Sequence, residues 1–258
     1  DVGKHVLANK ADIGFAFDGD GDRVGVVDNN GHEIFADKIG LLIARNLATE
    51  VSNSKFVIDV KSTSLFTTDE ILKKNNSEVI FWKTGHSYIK RKTSDINATA
   101  GFERSGHFFF NSPIGRGYDD GILSALEILK ILDKNENQTI ANLYNQITKT
   151  FSSPTMSPKC PEESKYKLIE KLEEIFQYKK KNNETVAGQK ILSILTVNGV
   201  RIHLEDGSWG LVRASSNSPN LVVVCESTIS EERMKEIFND INNELMKFNE
   251  IGEYDQKI

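Results

Sequence analysis

The chain is poor in cysteine and proline, with 2 and 5 among 258 residues. So few cysteines exclude a disulfide scaffold and suit a reducing cytosol, so a cytoplasmic location is expected. Cys225 lies in the apolar run Leu221-Val222-Val223-Val224-Cys225 and reads as a buried thiol; Cys160 sits between Lys159 and Pro161. A disulfide between them has no support beyond their presence. No stretch of 18 apolar residues exists, which excludes a membrane-spanning helix. A basic excess is missing too: 32 Lys and Arg stand against 37 Asp and Glu, for a net charge of −5. That argues against nucleic acid or a membrane surface as a partner, but it leaves room for a local anion pocket. There is neither an initiator Met nor the apolar core of a signal peptide at Asp1-Val2-Gly3-Lys4.

What is present is an alternation of β-rich apolar runs with helical patterns, which predicts α/β layers. Strands are expected at 13–17, 24–28, 55–60, 78–83, 98–102 and 108–110. Asp37 is placed to cap a helix carrying Leu41, Leu42, Ala44 and Leu47, and a second helix is expected over 64–74. A third, from Asp119-Asp120, would bury Ile122, Leu126, Leu129 and Leu132, and Thr139 is placed to start a short one. Three of the five prolines fall in 151–161, which reads as an interdomain linker. Beyond it come a helix with Tyr166, Ile169, Leu172 and Phe176 on one face, and a solvated loop at Lys179-Lys180-Lys181-Asn182-Asn183. Four strands follow at 191–197, 200–204, 209–213 and 221–226. A last helix buries Met234, Ile237, Phe238, Ile241 and Leu245. The expected fold is therefore a mixed-sheet α/β domain followed by a smaller α+β domain with an antiparallel sheet.

The densest chemistry is Asp18-Gly19-Asp20-Gly21-Asp22-Arg23, between two strands. Three carboxylates at alternate positions repel one another unless a cation joins them, and the glycines let the backbone turn tightly enough for convergence. All-oxygen ligands suit Mg²⁺ or Ca²⁺. An EF-hand is excluded, because its sixth and twelfth positions hold Arg23 and Asn29 in place of Gly and Glu. Three ligands leave room for a phosphate oxygen, the arrangement of Mg²⁺ at phosphoryl-transfer sites; an acidic surface turn is the alternative.

Further along, Asp59-Val60-Lys61-Ser62-Thr63 puts a lysine after a strand and before a helix, where α/β folds bind anions. By composition alone Lys61 reads more readily as a surface lysine. Lys83-Thr84-Gly85-His86-Ser87 is a second donor-rich turn, and in Gly101-Phe102-Glu103-Arg104-Ser105-Gly106-His107 a carboxylate and a hydroxyl two apart suit sugar hydroxyls. His107 reads as a proton shuttle, a phosphate donor or a structural hydrogen-bonder; His5, His32 and His203 have no supporting context. Trp209-Gly210-Leu211-Val212-Arg213-Ala214-Ser215-Ser216-Asn217-Ser218-Pro219 joins two strands and reads either as a phosphate cradle or as a polar hairpin loop.

Together these segments resemble the α-D-phosphohexomutases, in particular the bacterial phosphomannomutase/phosphoglucomutase group. Asp18-Gly19-Asp20-Gly21-Asp22-Arg23 is similar to the family's magnesium loop, and Gly101-Phe102-Glu103-Arg104-Ser105-Gly106-His107 to its sugar loop, with Phe102 replacing or preceding the expected small residue. Trp82-Lys83-Thr84-Gly85-His86-Ser87, Gly117-Tyr118-Asp119-Asp120-Gly121 and the loop opening at Arg213-Ala214-Ser215 are similar as well. The resemblance implies a phosphoserine that exchanges its phosphoryl group with a hexose phosphate through a bisphosphate. It implies Mg²⁺ on Asp18, Asp20 and Asp22, and Arg23 facing the transferring group. Lys61 and His107 would help with protons, Glu103 and Ser105 would hold sugar hydroxyls, and Arg213, Ser215 and Asn217 the second phosphate. The substrate class is mannose or glucose phosphates. The implied domains are 1–28 (the end of a second domain, with the metal loop), 29–150 (a third), the linker 151–161, and 162–258 (a fourth). No segment reads as the nucleophilic serine loop, so the chain is expected to be a C-terminal part that binds without turnover. The reading from another class is a non-catalytic sugar-phosphate-binding module. A Mg²⁺-dependent phosphatase is weaker, because its further motifs are missing.

Overall fold

The computed structural model describes residues 2–258, which form two compact units divided between Thr148 and Lys149.

In the first unit, α1 (Val2–Asn9) packs on a three-stranded antiparallel sheet of β1 (Ile13–Phe17), β2 (Val24–Asp28) and β3 (Glu33–Ile34). The pair β1–β2 is in register from Ile13↔Asp28 to Phe17↔Val24, so the loop 18–23 closes its end. Next come α2 (Ala36–Glu50), β4 (Lys55–Asp59), α3 (Leu65–Thr68), α4 (Glu70–Lys74), β5 (Glu78–Trp82), α5 (His86–Asp95), β6 (Ala100–Phe102), β7 (Phe108–Phe110), α6 (Gly121–Lys134) and α7 (Ile140–Asn145). Their sheet is ordered β5-β4-β6-β7, with β4 parallel to both neighbours and β7 antiparallel. Parallel strands buried on both faces explain the continuous apolar runs.

Phe102 sits at the centre of this core with its ring 5.3–6.3 Å from those of Phe56, Phe66, Phe108 and Phe110. The bulk where the resemblance leads one to expect a small residue is accommodated by Gly40 of α2. A Cβ there would lie 3.1 Å from the Phe102 ring.

Several expectations are corrected. Phe35, not Asp37, is the residue before α2, and Asp37 lies buried within its first turn. The helix expected over 64–74 breaks at Asp69, whose extended backbone ends α3 and whose carboxylate caps α4 by accepting from the Ile71 and Leu72 N–H groups. Helix α6 does begin after Asp120, which caps it, but it buries the stripe Ala125, Ile128 and Ile131. Ile122, Leu126 and Leu129 are 65%, 50% and 42% exposed.

In the second unit, a six-stranded antiparallel sheet is ordered β8 (Phe151–Ser152), β13 (Leu221–Ser227), β12 (Trp209–Ala214), β11 (Val200–Leu204), β10 (Gln189–Leu195) and β9 (Thr185–Val186). Helices α8 (Lys165–Lys181) and α9 (Glu231–Leu245) complete it. Val200, Ile202, Leu204, Val212, Val223 and Cys225 share a core with Leu168, Leu172 and Phe176 of α8 and with the five residues expected from α9. On α8, however, Tyr166 is exposed and Lys165 is buried in its stead. Lys179, Lys180 and Lys181 form the last helical turn, not a loop; cations there suit the helix dipole.

The segment 151–161 is not a linker. Phe151 and Ser152 pair with Ser227 and Glu226, Met156 bridges to Val223, and Lys159 to Asn220. Pro158 is itself paired, bridging to Tyr254 and accepting from the Leu221 N–H at 2.9 Å. Both cysteines are buried and unbridged. Among the described residues no helix is long and apolar enough to cross a membrane.

Candidate functional site

The loop after β1 brings the three expected carboxylates together. Ligand oxygens of Asp18, Asp20 and Asp22 all lie within 4.8 Å of one another. Gly21 makes the turn possible with φ +76°, and its N–H donates to the Asp18 carbonyl at 3.2 Å. Two other segments fix the loop. A bridge pairs Arg23 with His107, and the Val24 N–H donates to the Gly106 carbonyl. On the other side, the Gly121 N–H at the start of α6 donates to the Gly21 carbonyl at 3.1 Å. Gly121 has to be glycine, since a Cβ would stand 2.7 Å from the carbonyl oxygens of Gly21 and Arg23.

The donor set fits a hard divalent cation. It is all oxygen, and Asp22 Oδ1 is buried without a hydrogen-bond partner, 3.6 Å from His107 Nδ1. Burial, reinforced by neighbouring carboxylates, pushes the Asp22 carboxyl above its ordinary range, while His107 opposes this. Arg23 does not stand free: its Nε donates to Asp18 Oδ2 at 2.5 Å, which holds the Asp18 carboxyl down at about 2. The guanidinium is thus poised at the loop's edge, but it is engaged with a ligand carboxylate.

His107 Nδ1 lies 2.9 Å from Asp119 Oδ2. A carboxylate only accepts, so Nδ1 carries a proton, and in the neutral imidazole Nε2 is the acceptor. Asp119 also draws His86 Nδ1 and Lys90 Nζ to 3.9 Å, and the two imidazoles stack with centroids 5.8 Å apart. Asp119 and His86 were visible in quoted motifs, yet nothing in their spacing showed that they converge on His107.

Glu103 is buried, accepts from the Gly85 N–H at 3.1 Å, and takes the Ser105 hydroxyl at 2.8 Å. Burial raises its carboxyl above the ordinary range, with further upward pressure from Asp59, partly offset by Ser105, His107 and Lys61. Fully buried Asp59 accepts from Ser62, Thr84 and the Arg104 N–H, with Lys61 Nζ at 3.9 Å. It organises the turn after β4, a role that the sequence did not suggest. Arg104 donates to the Lys61 carbonyl and lies over the Phe35 ring.

In the second unit, Arg213, Ser215 and Asn217 lie at the end of β12 and the loop after it. Arg213 Nη1 donates to the Ala214 carbonyl at 2.9 Å, the Asn217 N–H reaches Ser215 Oγ at 3.3 Å, and the Ser215 and Ser218 hydroxyls are 2.9 Å apart. Gly199 opposes them with φ +88°, where a Cβ would come within 2.4 Å of Arg213 Cβ.

The first unit thus carries converging carboxylates beside a histidine–carboxylate couple, a donor set suited to a divalent cation and an anionic group. Comparison with known proteins narrows this. The family model for phosphoglucomutase/phosphomannomutase alpha/beta/alpha domain III matches residues 35–151, and the one for the phosphoglucomutase/phosphomannomutase C-terminal domain matches 159–244. Phosphomannomutase/phosphoglucomutase from Pseudomonas putida is 36% identical over 230 residues, covering 88% of this chain and 46% of that protein. Its Pseudomonas aeruginosa counterpart is 36% identical over 237 residues, covering 91% and 48%. A solved phosphoglucomutase/phosphomannomutase family protein from Burkholderia thailandensis superposes with a TM-score of 0.79 at 30% identity, covering 95% of this chain and 48% of that one. The chain belongs to the phosphoglucomutase/phosphomannomutase family and spans about half the length of the curated relatives it matches.

Proposed function

We propose that the protein is a phosphohexomutase, interconverting hexose 1-phosphate and hexose 6-phosphate of mannose or glucose through a phosphoserine and a bisphosphate. The phosphoserine comes from a segment outside these 258 residues. The chain alone therefore binds its ligand and does not turn it over. The convergence of Asp18, Asp20 and Asp22 beside His107 carries this reading, since it supplies what phosphoryl transfer asks of a protein.

Asp18, Asp20 and Asp22 would hold Mg²⁺, which when bound neutralises charge on the phosphoryl oxygens. Arg23 exchanges its bond to Asp18 for contact with the phosphoryl group. His107, oriented by Asp119, presents Nε2 as the acceptor for a sugar hydroxyl proton. Lys61 adds positive charge at the turn after β4. Glu103 and Ser105 hold sugar hydroxyls, a carboxylate and a hydroxyl already bonded to each other exchanging that bond for bonds to the ring. Arg213, Ser215 and Asn217 grip the phosphate that does not react, which lets the sugar be oriented before transfer.

Calorimetry of the chain with glucose 1-phosphate and mannose 1-phosphate in Mg²⁺, beside a coupled mutase assay, tests this. Binding without turnover is expected. Arg213→Ala should weaken that binding by about tenfold or more, as the loss of a charge-assisted contact demands. Absence of sugar-phosphate binding would overturn the assignment, and release of free phosphate would favour a phosphatase.

A further inference from the structure

Lys165 is wholly buried at the first turn of α8, where sequence periodicity leads one to expect an apolar side chain. An ammonium is costly to bury unless every proton finds an acceptor. Here all three do: Nζ lies 2.6 Å from Glu162 Oε2, 2.6 Å from the Ser215 carbonyl and 3.3 Å from the Ser218 carbonyl. Two of these acceptors are main-chain oxygens of the loop after β12, three residues apart. A lysine serving only α8 would have no reason to reach them.

The consequence follows from peptide geometry. A trans peptide points its N–H opposite to its C=O. Drawing the Ser215 carbonyl onto Lys165 therefore turns the Ser216 N–H to the opposite side of the loop. Ser216 is exposed, and its N–H donates to no group among the described residues. A main-chain donor left open beside Arg213 and the Ser215 hydroxyl is what an oxyanion needs.

The geometry points to Lys165 as the positioning residue of the phosphate-binding loop: by holding the Ser215 and Ser218 carbonyls it presents the Ser216 N–H to a non-bridging oxygen of the sugar's phosphate. This rests on the reading of Arg213, Ser215 and Asn217 as that phosphate's grip. Lys165 itself touches no ligand. Its charge is spent on the loop, and its effect on binding is carried by the amide it orients.

The test uses the 258-residue chain with glucose 1-phosphate and with inorganic phosphate, read by calorimetry and by amide NMR. Lys165→Met should lower glucose 1-phosphate affinity about tenfold or more, the loss of one hydrogen bond to an anion. Mg²⁺ affinity should be unchanged, and Lys165→Arg, which can donate to the same carbonyls, should recover most of the loss. A folded Lys165→Met chain with wild-type affinity overturns the proposal. If that variant does not fold, the wild-type chain decides: the Ser216 amide resonance must shift on titration with inorganic phosphate, and a stationary resonance overturns the proposal. Arg213→Ala, run in parallel, separates the two readings. If it binds glucose 1-phosphate as well as wild type, the loop is not the phosphate grip and the premise falls. If it loses binding while a folded Lys165→Met does not, only the role of Lys165 falls.

Discussion

His203 offers the most direct check on the packing of the second unit. It lies on β11, opposite Trp209 on β12 and two residues from fully buried Arg201. Burial, with the Arg201 guanidinium adding repulsion, depresses its imidazole from 6.5 to about 3. The sign is fixed by which state takes up the proton first. Between pH 6.5 and 3 the unfolded chain binds it and the folded chain does not, so stability is present above 6.5 and lost as pH falls. Integrating over those two values gives a loss of about 2 kcal/mol at pH 5 relative to neutral pH, and about 3 kcal/mol at pH 4. The assay is urea unfolding at pH 7.5 and pH 5, followed by Trp209 fluorescence in a Trp82→Phe background, with His203 and with His203→Gln. Glutamine does not titrate, so whatever it costs at both pH values cancels in the double difference. The prediction is that the His203 chain loses about 2 kcal/mol more than the His203→Gln chain between the two pH values. Equal losses would mean that the imidazole is hydrated in the folded protein and that this face of β11 is not packed as described.

Asp20→Asn should weaken Mg²⁺ binding by about tenfold or more, since removing a ligand costs at least what disturbing a ligand's support does; calorimetry reads this, and an unchanged melting temperature shows that the loss is local. Gly121→Ala should do likewise without touching a ligand, because its Cβ must displace the Gly21 or Arg23 carbonyl that holds the loop; Mg²⁺ affinity at wild-type level would mean that the contact is slack. Asp69→Ala should destabilise the first unit by about 3 kcal/mol, since it removes the cap of α4 and strands Arg45, whose Nε and Nη2 lie 2.7 and 2.6 Å from Asp69 Oδ2; thermal unfolding measures it.

What was legible in the sequence is what local chemistry decides. The carboxylate loop, the strand limits around it and the apolar face of α9 depend on residues close in the chain, and they stand where spacing put them. The failures share one cause, a tertiary partner that no local pattern contains. Helix α6 carries two apolar stripes, and periodicity cannot say which one meets α2 and β2; the smaller one does, because Ala125 lets the helix come close. The prolines of 151–161 looked like a break because nothing nearby shows that β13 lies ready to pair with that segment. The same blindness governs the site. His107 was a candidate from its loop, but its tautomer is set by Asp119, 12 residues away, and the turn carrying Lys61 is built on Asp59, tied to Thr84 and Arg104 at separations of 25 and 45 residues. Groups that would touch substrate announce themselves by type and spacing, since their chemistry must be written into one loop. Groups that orient them can come from anywhere the fold brings near, and Lys165, 50 residues before the carbonyl it holds, belongs with these.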